Sequence, residues 1–267
     1  MLSAERERLI LEYLEEQRGL VSFQDLEARL QASAATIRRD LTRLTEAGLI
    51  ARVRGGAKLA KPFKRGATSK ERQPTGLVGV PFHENISRNR RQKELVGREA
   101  AKLCTPGAAV MIDGGSTTLQ MCPHLVGLNL TVLTNSLHIV SALLPQAGTR
   151  VLIPAGQVFP EQNIVLAAAG DDGMSRFHAP KLFMGAAALG SAGLMQADII
   201  LVNAERHLIE RANEIVVLVD SSKFDGPSGH VVCPLEKIDY VVTDAGISAE
   251  HTKMLDKANI KLIVARG

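Results

Sequence analysis

The chain has 267 residues, of which 45% are hydrophobic and 22% charged; this fits about two domains and excludes a chain disordered throughout. No apolar run reaches the roughly 18 to 20 residues that cross a bilayer, and charges from Glu5 onward argue against a secretory signal. We therefore expect a cytoplasmic protein with no membrane partner. The three cysteines, Cys104, Cys122 and Cys233, are far apart, which favours neither a disulfide scaffold nor a cysteine-rich zinc site.

The excess positive charge lies in the first quarter of the chain. Residues 1–72 hold 15 Lys and Arg against 10 Asp and Glu, whereas the remaining residues hold 17 against 18. Residues 38–65 alone contain nine basic side chains and two acidic ones. Such a segment favours a polyanionic partner, because each phosphate that is neutralised releases condensed counterions. Charge alone leaves duplex DNA and anionic lipid both open.

Three short helices are predicted at the start of the chain. The first has apolar residues at positions 9, 10, 13 and 14, which is one-turn spacing, and Gly19 follows as a stop. Ser22 and Asp25 have the spacing of a capping box and begin the second. Ser33 is a suitable N-cap for the third, in which positions 37, 41 and 44 form one apolar face before Gly48.

The outward face of the third predicted helix carries small and basic side chains. At about 100° per residue, the residues on the side away from the core are Ala35, Arg39, Thr42 and Glu46, with Arg38 and Arg43 on the flanks. Two short helices joined by a tight turn, the second with such a face, meet the requirement for entering a DNA major groove. The alternative is the solvated surface of an ordinary three-helix bundle.

A β-hairpin is predicted directly after the third helix. Residues 50–54 alternate like a short strand, Gly55 and Gly56 are a turn signal, and residues 57–59 can return. Arg52 and Arg54 would share one face of this ribbon and could reach phosphates or the minor groove. Because lipid binding has no need of this geometry, the pattern favours a winged helix that binds duplex DNA.

The sequence of this region resembles the DeoR family of bacterial transcription regulators. The resemblance covers residues 6–59 and is carried by residues 33–41 (SAATIRRDL), 46–50 (EAGLI) and 54–57 (RGGA). In that family the recognition helix carries the DNA contacts, which implies a contact here for each of Ser33, Thr36, Arg38, Arg39 and Arg43. Asp40 is expected to be structural, since phosphates repel a carboxylate that no arginine pairs with.

Residues 60–86 are expected to be a linker. Proline and glycine interrupt every hydrophobic period there, and residues 67–73 are polar throughout. Its basic residues Lys61, Lys64 and Arg65 would be solvated or would add non-specific affinity for the DNA backbone. The predicted organisation is thus a DNA-binding domain over 1–59, this linker, and a second domain over 87–267 that begins with a helix over 91–103.

The second domain alternates strands with helix-length segments, which is typical of an α/β fold with a mostly parallel sheet. Several of the strands are continuous apolar runs, as expected where both faces of a sheet are covered. The predicted strands are 109–113, 130–134, 150–154, 181–184, 214–220, 238–243 and 260–264.

Polar groups follow three of these strands, at 113–118 (DGGSTT), 134–136 (TNS) and 220–223 (DSSK). Ligands of open α/β sheets bind outside the carboxyl ends of the strands, so the three segments can converge on one pocket. Gly114 and Gly115 permit a tight turn, the next three residues offer amide and hydroxyl donors, and a helix is predicted to begin there, which makes an anion cradle. Without GxxxxGK[ST] or GxGxxG, a small phosphate suits the loop better than a nucleotide. Lys223 can add a charge; the alternative is an ordinary strand-to-helix turn.

These segments, together with 183–186 (FMGA), 193–195 (GLM) and Thr243-Asp244, resemble the DeoR-type sensor domain. The resemblance implies a fold similar to ribose-5-phosphate isomerase and a phosphorylated sugar as effector. We therefore expect an α+β winged helix-turn-helix followed by an α/β sensor domain. One departure is Ala155-Gly156, where the family often has Gly-Gly. The effector contacts implied by the resemblance are Asp113, Gly115, Ser116, Thr117, Thr118, Thr134, Asn135, Ser136 and Lys223.

Two functions are compatible with the sequence. As a regulator, a homodimer or homotetramer would bind operator DNA in the cytoplasm, at the nucleoid, and a bound sugar phosphate would change its affinity for that DNA. Repression of a carbohydrate catabolic operon is implied by the resemblance alone. As an isomerase, the second domain would use Asp113, Asp220 or Glu205 as base and Lys223 to stabilise an enediolate. The isomerase leaves the basic winged helix without a role, which favours the regulator. No cofactor, metal or catalytic residue is then expected, and the seven scattered histidines agree.

Overall fold

The protein is described by a computed structural model. The structure describes residues 6, 9–11, 13–14, 21–30, 32–46, 50–53, 56–59, 77–167, 173–174, 176–224, 226 and 229–267. The chain divides into two compact units, Met1–Arg72 and Gln73–Gly267, which we call the head and the sensor. Among the described residues, no helix combines the length and the hydropathy that crossing a membrane requires.

The head consists of helices packed on a small antiparallel sheet. The described residues among 6–14 are helical, and they precede α1 (Phe23–Leu30) and α2 (Ala34–Glu46). Strands β1 (Val21–Ser22), β2 (Ile50–Val53) and β3 (Gly56–Leu59) form a sheet in the order β1-β3-β2. The predicted capping box is confirmed, since Ser22 Oγ donates to Asp25 Oδ2 at 2.6 Å and accepts from the Asp25 amide at 3.2 Å.

The strand β1 was not predicted from the sequence. It pairs with β3 at Val21↔Ala57 and Ser22↔Gly56. A Cβ atom on Gly56 would lie 2.1 Å from the Val21 carbonyl oxygen, so glycine is required for the two backbones to approach. The glycine that we interpreted as part of a turn signal therefore also joins the hairpin to the residues before α1.

The sensor contains a seven-stranded sheet in which every pairing is parallel. All seven predicted strands are present with shifts at their ends. They are β4 (Ala109–Ile112), β5 (Thr131–Leu133), β6 (Arg150–Leu152), β9 (Ala179–Met184), β12 (Ala212–Leu218), β14 (Tyr240–Asp244) and β15 (Lys261–Ala265). Their order across the sheet is β15-β14-β12-β9-β4-β5-β6.

Five shorter strands of the sensor were not predicted. The antiparallel hairpin of β7 (Gln157–Phe159) and β8 (Ile164–Leu166) stands apart from the main sheet. The strands β10 (Ala188–Gly190), β11 (Gly193–Gln196) and β13 (His230–Cys233) form a second antiparallel sheet. Each has only three or four residues, and, unlike the equally short β5 and β6, none belongs to the parallel sheet that the alternation of strands and helices predicts.

Helices cover both faces of the main sheet. The helices of the sensor are α3 (Phe82–Asn85), α4 (Arg90–Ala101), α5 (Leu137–Leu143), α6 (Ile199–Ile209) and α7 (Ala249–Lys257). Met111 and Val219 lie in the core on the side of α6 and α7, whereas Ile112 and Leu218 lie in the core on the side of α4 and α5. Because side chains alternate along a strand, Asp113 falls on the α6 side of the sheet and Asp220 on the α4 side.

Residues 77–86, which we expected to belong to the linker, pack on the sensor. The Phe82 side chain is buried, and its amide donates to the Glu161 carbonyl at 3.0 Å. The Val78 amide donates to Asp198 Oδ2 at 2.6 Å. Residues 60–76, with Lys61, Lys64 and Arg65, lie outside the described residues, so the extent of the linker stays a prediction.

Candidate DNA interface and effector site

The exposed side of α2 matches the predicted face. Ile37, Leu41 and Leu44 are buried in the core of the head. Ser33 Oγ accepts the amide of Thr36 at 3.3 Å, as expected for an N-cap. The side chains exposed along the outward side of the helix are Ala34, Ala35, Arg38, Arg39, Thr42 and Arg43. The helix therefore presents small side chains at its start and three guanidinium groups further along, a surface that a major groove can accommodate.

Asp40 lies away from this surface. Its side chain is buried and receives Arg6 Nε at 2.8 Å and Arg6 Nη2 at 3.3 Å. This bidentate pair ties the helix at the start of the head to α2. The expectation that Asp40 is structural is thereby confirmed.

The hairpin after α2 is present, in the register Arg52↔Ala57 and Val53↔Gly56. The side chain of Arg52 and the whole of Arg54 lie outside the described residues. Their contacts with DNA stay a prediction.

Two of the three predicted polar segments of the sensor meet directly. Asn135 Nδ2 donates to Asp113 Oδ1 at 2.9 Å, and the Gly114 amide donates to Asn135 Oδ1 at 2.8 Å. These bonds form because β4 and β5 are neighbours in the sheet and end at the same edge. Thr134 and Ser136 flank Asn135 and are also buried, with Thr134 Oγ1 accepting the Ser136 amide at 3.2 Å. Ser136 is the N-cap of α5.

Several backbone amides of the glycine-rich loop, residues 113–118, donate no hydrogen bond within the described part of the protein. Among the described residues, no protein acceptor receives the amides of Gly115, Ser116 and Thr117. The Thr118 hydroxyl contacts two backbone carbonyl oxygens of the loop, that of Asp113 at 2.8 Å and that of Gly115 at 3.0 Å. The predicted helix after the loop is a seven-residue 3-10 helix, Thr118–His124, that contains Pro123. A helix dipole therefore contributes little, and the individual amides and hydroxyls form the cradle.

Glu205, on α6, forms a buried carboxyl pair with Asp113. Burial raises the pKa of Asp113 to about 6. Burial and the charge of Asp113 together raise the pKa of Glu205 well above its usual range, although Gln196 Nε2 donates to Glu205 Oε1 at 2.6 Å. Glu205 Oε2 is buried without a hydrogen-bond partner among the described residues. The two carboxyl groups resist ionising together, because both are desolvated and each charge opposes the other, and their oxygens can accept hydrogen bonds from a ligand.

The third predicted segment lies on the other side of the sheet. Asp220 Oδ1 accepts Asn89 Nδ2 at 2.8 Å, the Ser222 amide at 3.2 Å and the Ser222 hydroxyl at 2.5 Å. Lys223 ends the short 3-10 helix Ser221–Lys223 and is half-buried. The strand β9 separates β12 from β4, and no hydrogen bond among the described residues joins the 220–223 turn to the 113–118 loop. Both regions lie at the carboxyl edge of the sheet, but on opposite faces of it.

The hairpin of β7 and β8 packs against Asn135. The Val165 amide donates to the Asn135 carbonyl at 2.8 Å, and a Cβ atom on Gly114 would lie 2.6 Å from Ile164 Cγ2. A Cβ atom on Gly156 would lie 2.2 Å from the Leu166 carbonyl oxygen, whereas Ala155 is exposed. Ala155 replaces the first glycine of the family's usual Gly-Gly pair at a position where a methyl group has room. The second position, Gly156, requires glycine.

The sequence analysis did not identify two residues at the N-terminal end of α4, Asn89 and Lys93. Asn89, in the left-handed region with φ 50°, gives its amide to Asp220 and does not cap α4. Lys93 is fully buried at the same end of the helix. A signal was present, since the buried positions of α4 are 93, 96, 97, 100 and 101, and a lysine on the apolar face of a helix is unusual. Glu205 appeared in the sequence interpretation only as a base of the isomerase alternative.

The described residues contain no cluster of His, Cys, Asp or Glu that could hold a metal ion. All three cysteines are free and buried. Burial raises the pKa of Cys104 and Cys122 to about 12, so these thiols are unreactive at neutral pH.

A winged helix with an exposed basic face and an α/β domain with polar groups gathered at the carboxyl edge of its sheet define a DNA-binding regulator with a ligand-sensing domain. A family model described as a DeoR-like helix-turn-helix domain matches residues 6–63, and one described as a DeoR C terminal sensor domain matches residues 88–245. The chain belongs to the DeoR family of transcription regulators. It is a regulator and not an isomerase.

Similar proteins match over nearly the whole length. The HTH-type transcriptional regulators UlaR of Shigella dysenteriae and of Escherichia coli K12 are each 28% identical over 263 residues, which is 98% of this chain and 99% of theirs. Ribose 5-phosphate isomerase A of Methanocaldococcus jannaschii matches 51% of this chain and 55% of its own, with 19% identity and a TM-score of 0.37. The eIF2B delta subunit of Chaetomium thermophilum matches 58% of this chain and 56% of its own, with 16% identity and a TM-score of 0.41.

Proposed function

We propose that the protein represses a carbohydrate catabolic operon and that a phosphorylated sugar, bound at the carboxyl edge of the seven-stranded sheet, modulates its affinity for operator DNA. One observation carries this proposal: a single chain combines an exposed basic helix face with a second domain in which unused amide donors and buried carboxyls lie at the carboxyl edge of the sheet. Repression agrees with membership of the DeoR family. The cytoplasm, with the nucleoid for the DNA-bound form, is the compartment that this function requires.

The DNA contacts that we propose come from α2 and the hairpin. Arg38, Arg39 and Arg43 are exposed along α2 and can bind base edges or phosphates, with Ser33 and Thr36 at its N-terminal end. Arg52 and Arg54 would contact the backbone or minor groove. A homodimer or homotetramer would present two such heads to two half-sites.

The effector contacts that we propose come from the ends of β4, β5 and β12. Asp113 and Asn135 form the hydroxyl-binding part, because a carboxylate and an amide in fixed orientation can accept from and donate to sugar hydroxyls. The amides of Gly115, Ser116 and Thr117 are available to an anion, and Thr118, Thr134 and Ser136 shape the loop around them. Lys223 supplies a positive charge at the end of β12.

The proposal is tested by a gel-shift titration on DNA from upstream of the protein's own and adjacent genes. We expect a specific complex at moderate salt, and its affinity should change with one member of a panel of phosphorylated sugars but not with the corresponding free sugar. By linkage, DNA must change the affinity for that sugar phosphate by the same factor. A protein that ignores every promoter fragment, or whose complex is insensitive to the whole panel, would refute the proposal.

A further inference from the structure

The hairpin of β7 and β8 contacts residues at which we expect the effector to bind. The Val165 amide donates to the Asn135 carbonyl at 2.8 Å. Ile164 pairs with Ser136 in an antiparallel bridge. Gly114 lies close to the same strand, since a Cβ atom there would lie 2.6 Å from Ile164 Cγ2. Neither Gly114 nor Asn135 can therefore move towards the hairpin without displacing β8.

The turn of the same hairpin holds the first described residues of the sensor, 77–82, which we call the anchor segment. The Phe82 amide donates to the Glu161 carbonyl at 3.0 Å. Gln162 Nε2 donates to the Val80 carbonyl, also at 3.0 Å. Both bonds come from the turn that joins β7 to β8, so the position of the hairpin determines how the anchor segment is held.

An apolar cluster joins the hairpin to the anchor segment as well. Phe159, Ile164 and Leu166 are buried together, and Leu77 packs against them. In the described part of the chain, β7 and β8 form a sheet of two strands, separate from the seven-stranded sheet. A hairpin of two strands is only marginally stable by itself. Its position is therefore set by the contacts at its two ends, and it can shift while the main sheet stays intact.

Two contacts of the anchor segment do not involve the hairpin. The Val78 amide donates to Asp198 Oδ2 at 2.6 Å, and Asp198 is the N-cap of α6. The Phe82 ring stacks on that of His138, in α5, with 4.2 Å between the ring centroids. A shift of the hairpin would thus leave Val78 in place and act first on the Phe82 amide and the Val80 carbonyl.

We propose that the hairpin of β7 and β8 couples the effector site to the anchor segment, so that a ligand which moves Gly114 or Asn135 changes how firmly residues 77–82 are held. This inference rests on the proposed function and adds the route by which the effector acts. The anchor segment follows the predicted linker, and its six residues, when released, would add up to about 20 Å of extended chain to that linker. The two states would then differ in the reach of the linker.

The first test uses the ligand-free, full-length protein and amide hydrogen exchange followed by NMR. The variant Gly114→Ala places a methyl group against Ile164. In the matched control, Gly115→Ala, the nearest atom to the added methyl group is Thr118 Oγ1, at 3.0 Å within the loop itself. We expect exchange of the Phe82 amide to accelerate at least fivefold in Gly114→Ala and to stay within twofold of the wild type in Gly115→Ala.

A double variant shows whether the effect passes through the hairpin. Ile164→Ala removes the Cγ2 atom that the new methyl group at position 114 would meet. Adding Gly114→Ala to Ile164→Ala should therefore leave the exchange of the Phe82 amide within twofold of its rate in Ile164→Ala alone, because contacting residues couple and distant ones act additively.

A second pair of variants perturbs the other end of the hairpin. Gln162→Ala removes the bond to the Val80 carbonyl, and its control, Gln157→Ala, changes an exposed side chain of β7. Because coupling is reciprocal, Gln162→Ala should accelerate exchange of the Val165 amide, which donates to Asn135, at least threefold. Gln157→Ala should leave that rate unchanged. Should Gly114→Ala fail to fold, this surface pair still decides the question.

The outcomes separate this inference from the proposed function. Unchanged exchange of the Phe82 amide in Gly114→Ala, or equal acceleration in the two glycine variants, would overturn the inference. An effect of Gly114→Ala that is just as large without the Ile164 side chain would do so too, as would an unchanged Val165 amide in Gln162→Ala. None of these measurements involves an effector, so they leave the proposed function standing. That function fails instead if the gel-shift titration gives no specific complex or no response to the sugar phosphates.

Discussion

Replacing Asn135 with alanine tests whether this side chain holds the effector site together. The change removes two hydrogen bonds, one to Asp113 and one from the Gly114 amide. Asp113 and Asn135 are buried and Gly114 is half-buried, so water replaces the lost partners poorly. Each buried group left unsatisfied costs about 1 to 3 kcal/mol, so we expect the free energy of unfolding of the sensor to fall by about 2 to 4 kcal/mol.

The destabilisation should also depend on pH. The folded-state pKa of Asp113 is about 6, above its ordinary 3.8. The folded protein therefore loses stability as the pH rises from about 4 to 6, because the ionised carboxylate is less favourable in the folded protein than in the unfolded chain. The bond from Asn135 lowers this pKa. Without that bond the pKa rises further, and the added cost appears only where Asp113 is ionised. The loss of stability should therefore be larger at pH 7.5 than at pH 5.5.

The assay is urea denaturation followed by circular dichroism, combined with hydrogen exchange on peptides to separate the sensor from the head. Exchange should accelerate in residues 109–140 and remain unchanged in residues 21–46. The matched control is Asn213→Ala, because Asn213 is exposed and its partner is the exposed His178, whose Nε2 lies 2.7 Å from Asn213 Oδ1. The reasoning would be refuted if Asn135→Ala changed the unfolding free energy by less than about 0.5 kcal/mol, the range of ordinary surface substitutions.

Two further outcomes are expected. Arg39→Ala should reduce discrimination between operator and competitor DNA by about 1 to 3 kcal/mol if the side chain binds a base, and unchanged discrimination in a gel shift would assign Arg39 to the solvated surface. Gly156→Ala should lower the melting temperature, because the added Cβ would lie 2.2 Å from the Leu166 carbonyl oxygen. The control, Ala155→Gly at the exposed neighbouring position, should have little effect. Equal shifts of the melting temperature in the two variants would contradict the close contact at Gly156.

The main sheet was predictable because its strands are buried on both faces and appear as apolar runs. The run at 215–219, for example, forms the buried part of β12 and continues beyond it. The shorter strands had no such signal. β1 has only two residues, and its pairing depends on Gly56, whose partner lies far away along the chain.

The candidate site was predictable where it depends on neighbouring strands. The contact between Asp113 and Asn135 follows from the order of β4 and β5 in a parallel sheet. The proximity of Glu205 to Asp113 and the burial of Lys93 were not predicted, because each residue comes from a helix whose side of the sheet is set by tertiary packing. Their burial, which gives both groups unusual pKa values, has no counterpart in composition or spacing.

The N-terminal end of α4 occupies a special place along the chain. Only α3 and the segment held by Asp198 separate it from residue 76, where the description of the linker stops. A ligand that alters the contact between Asn89 and the turn after β12 would thus act on the stretch of sensor that follows the linker most closely. Communication with the DNA-binding helices would then require no rearrangement of the seven-stranded sheet, only a change in how firmly the first turns of the sensor are anchored.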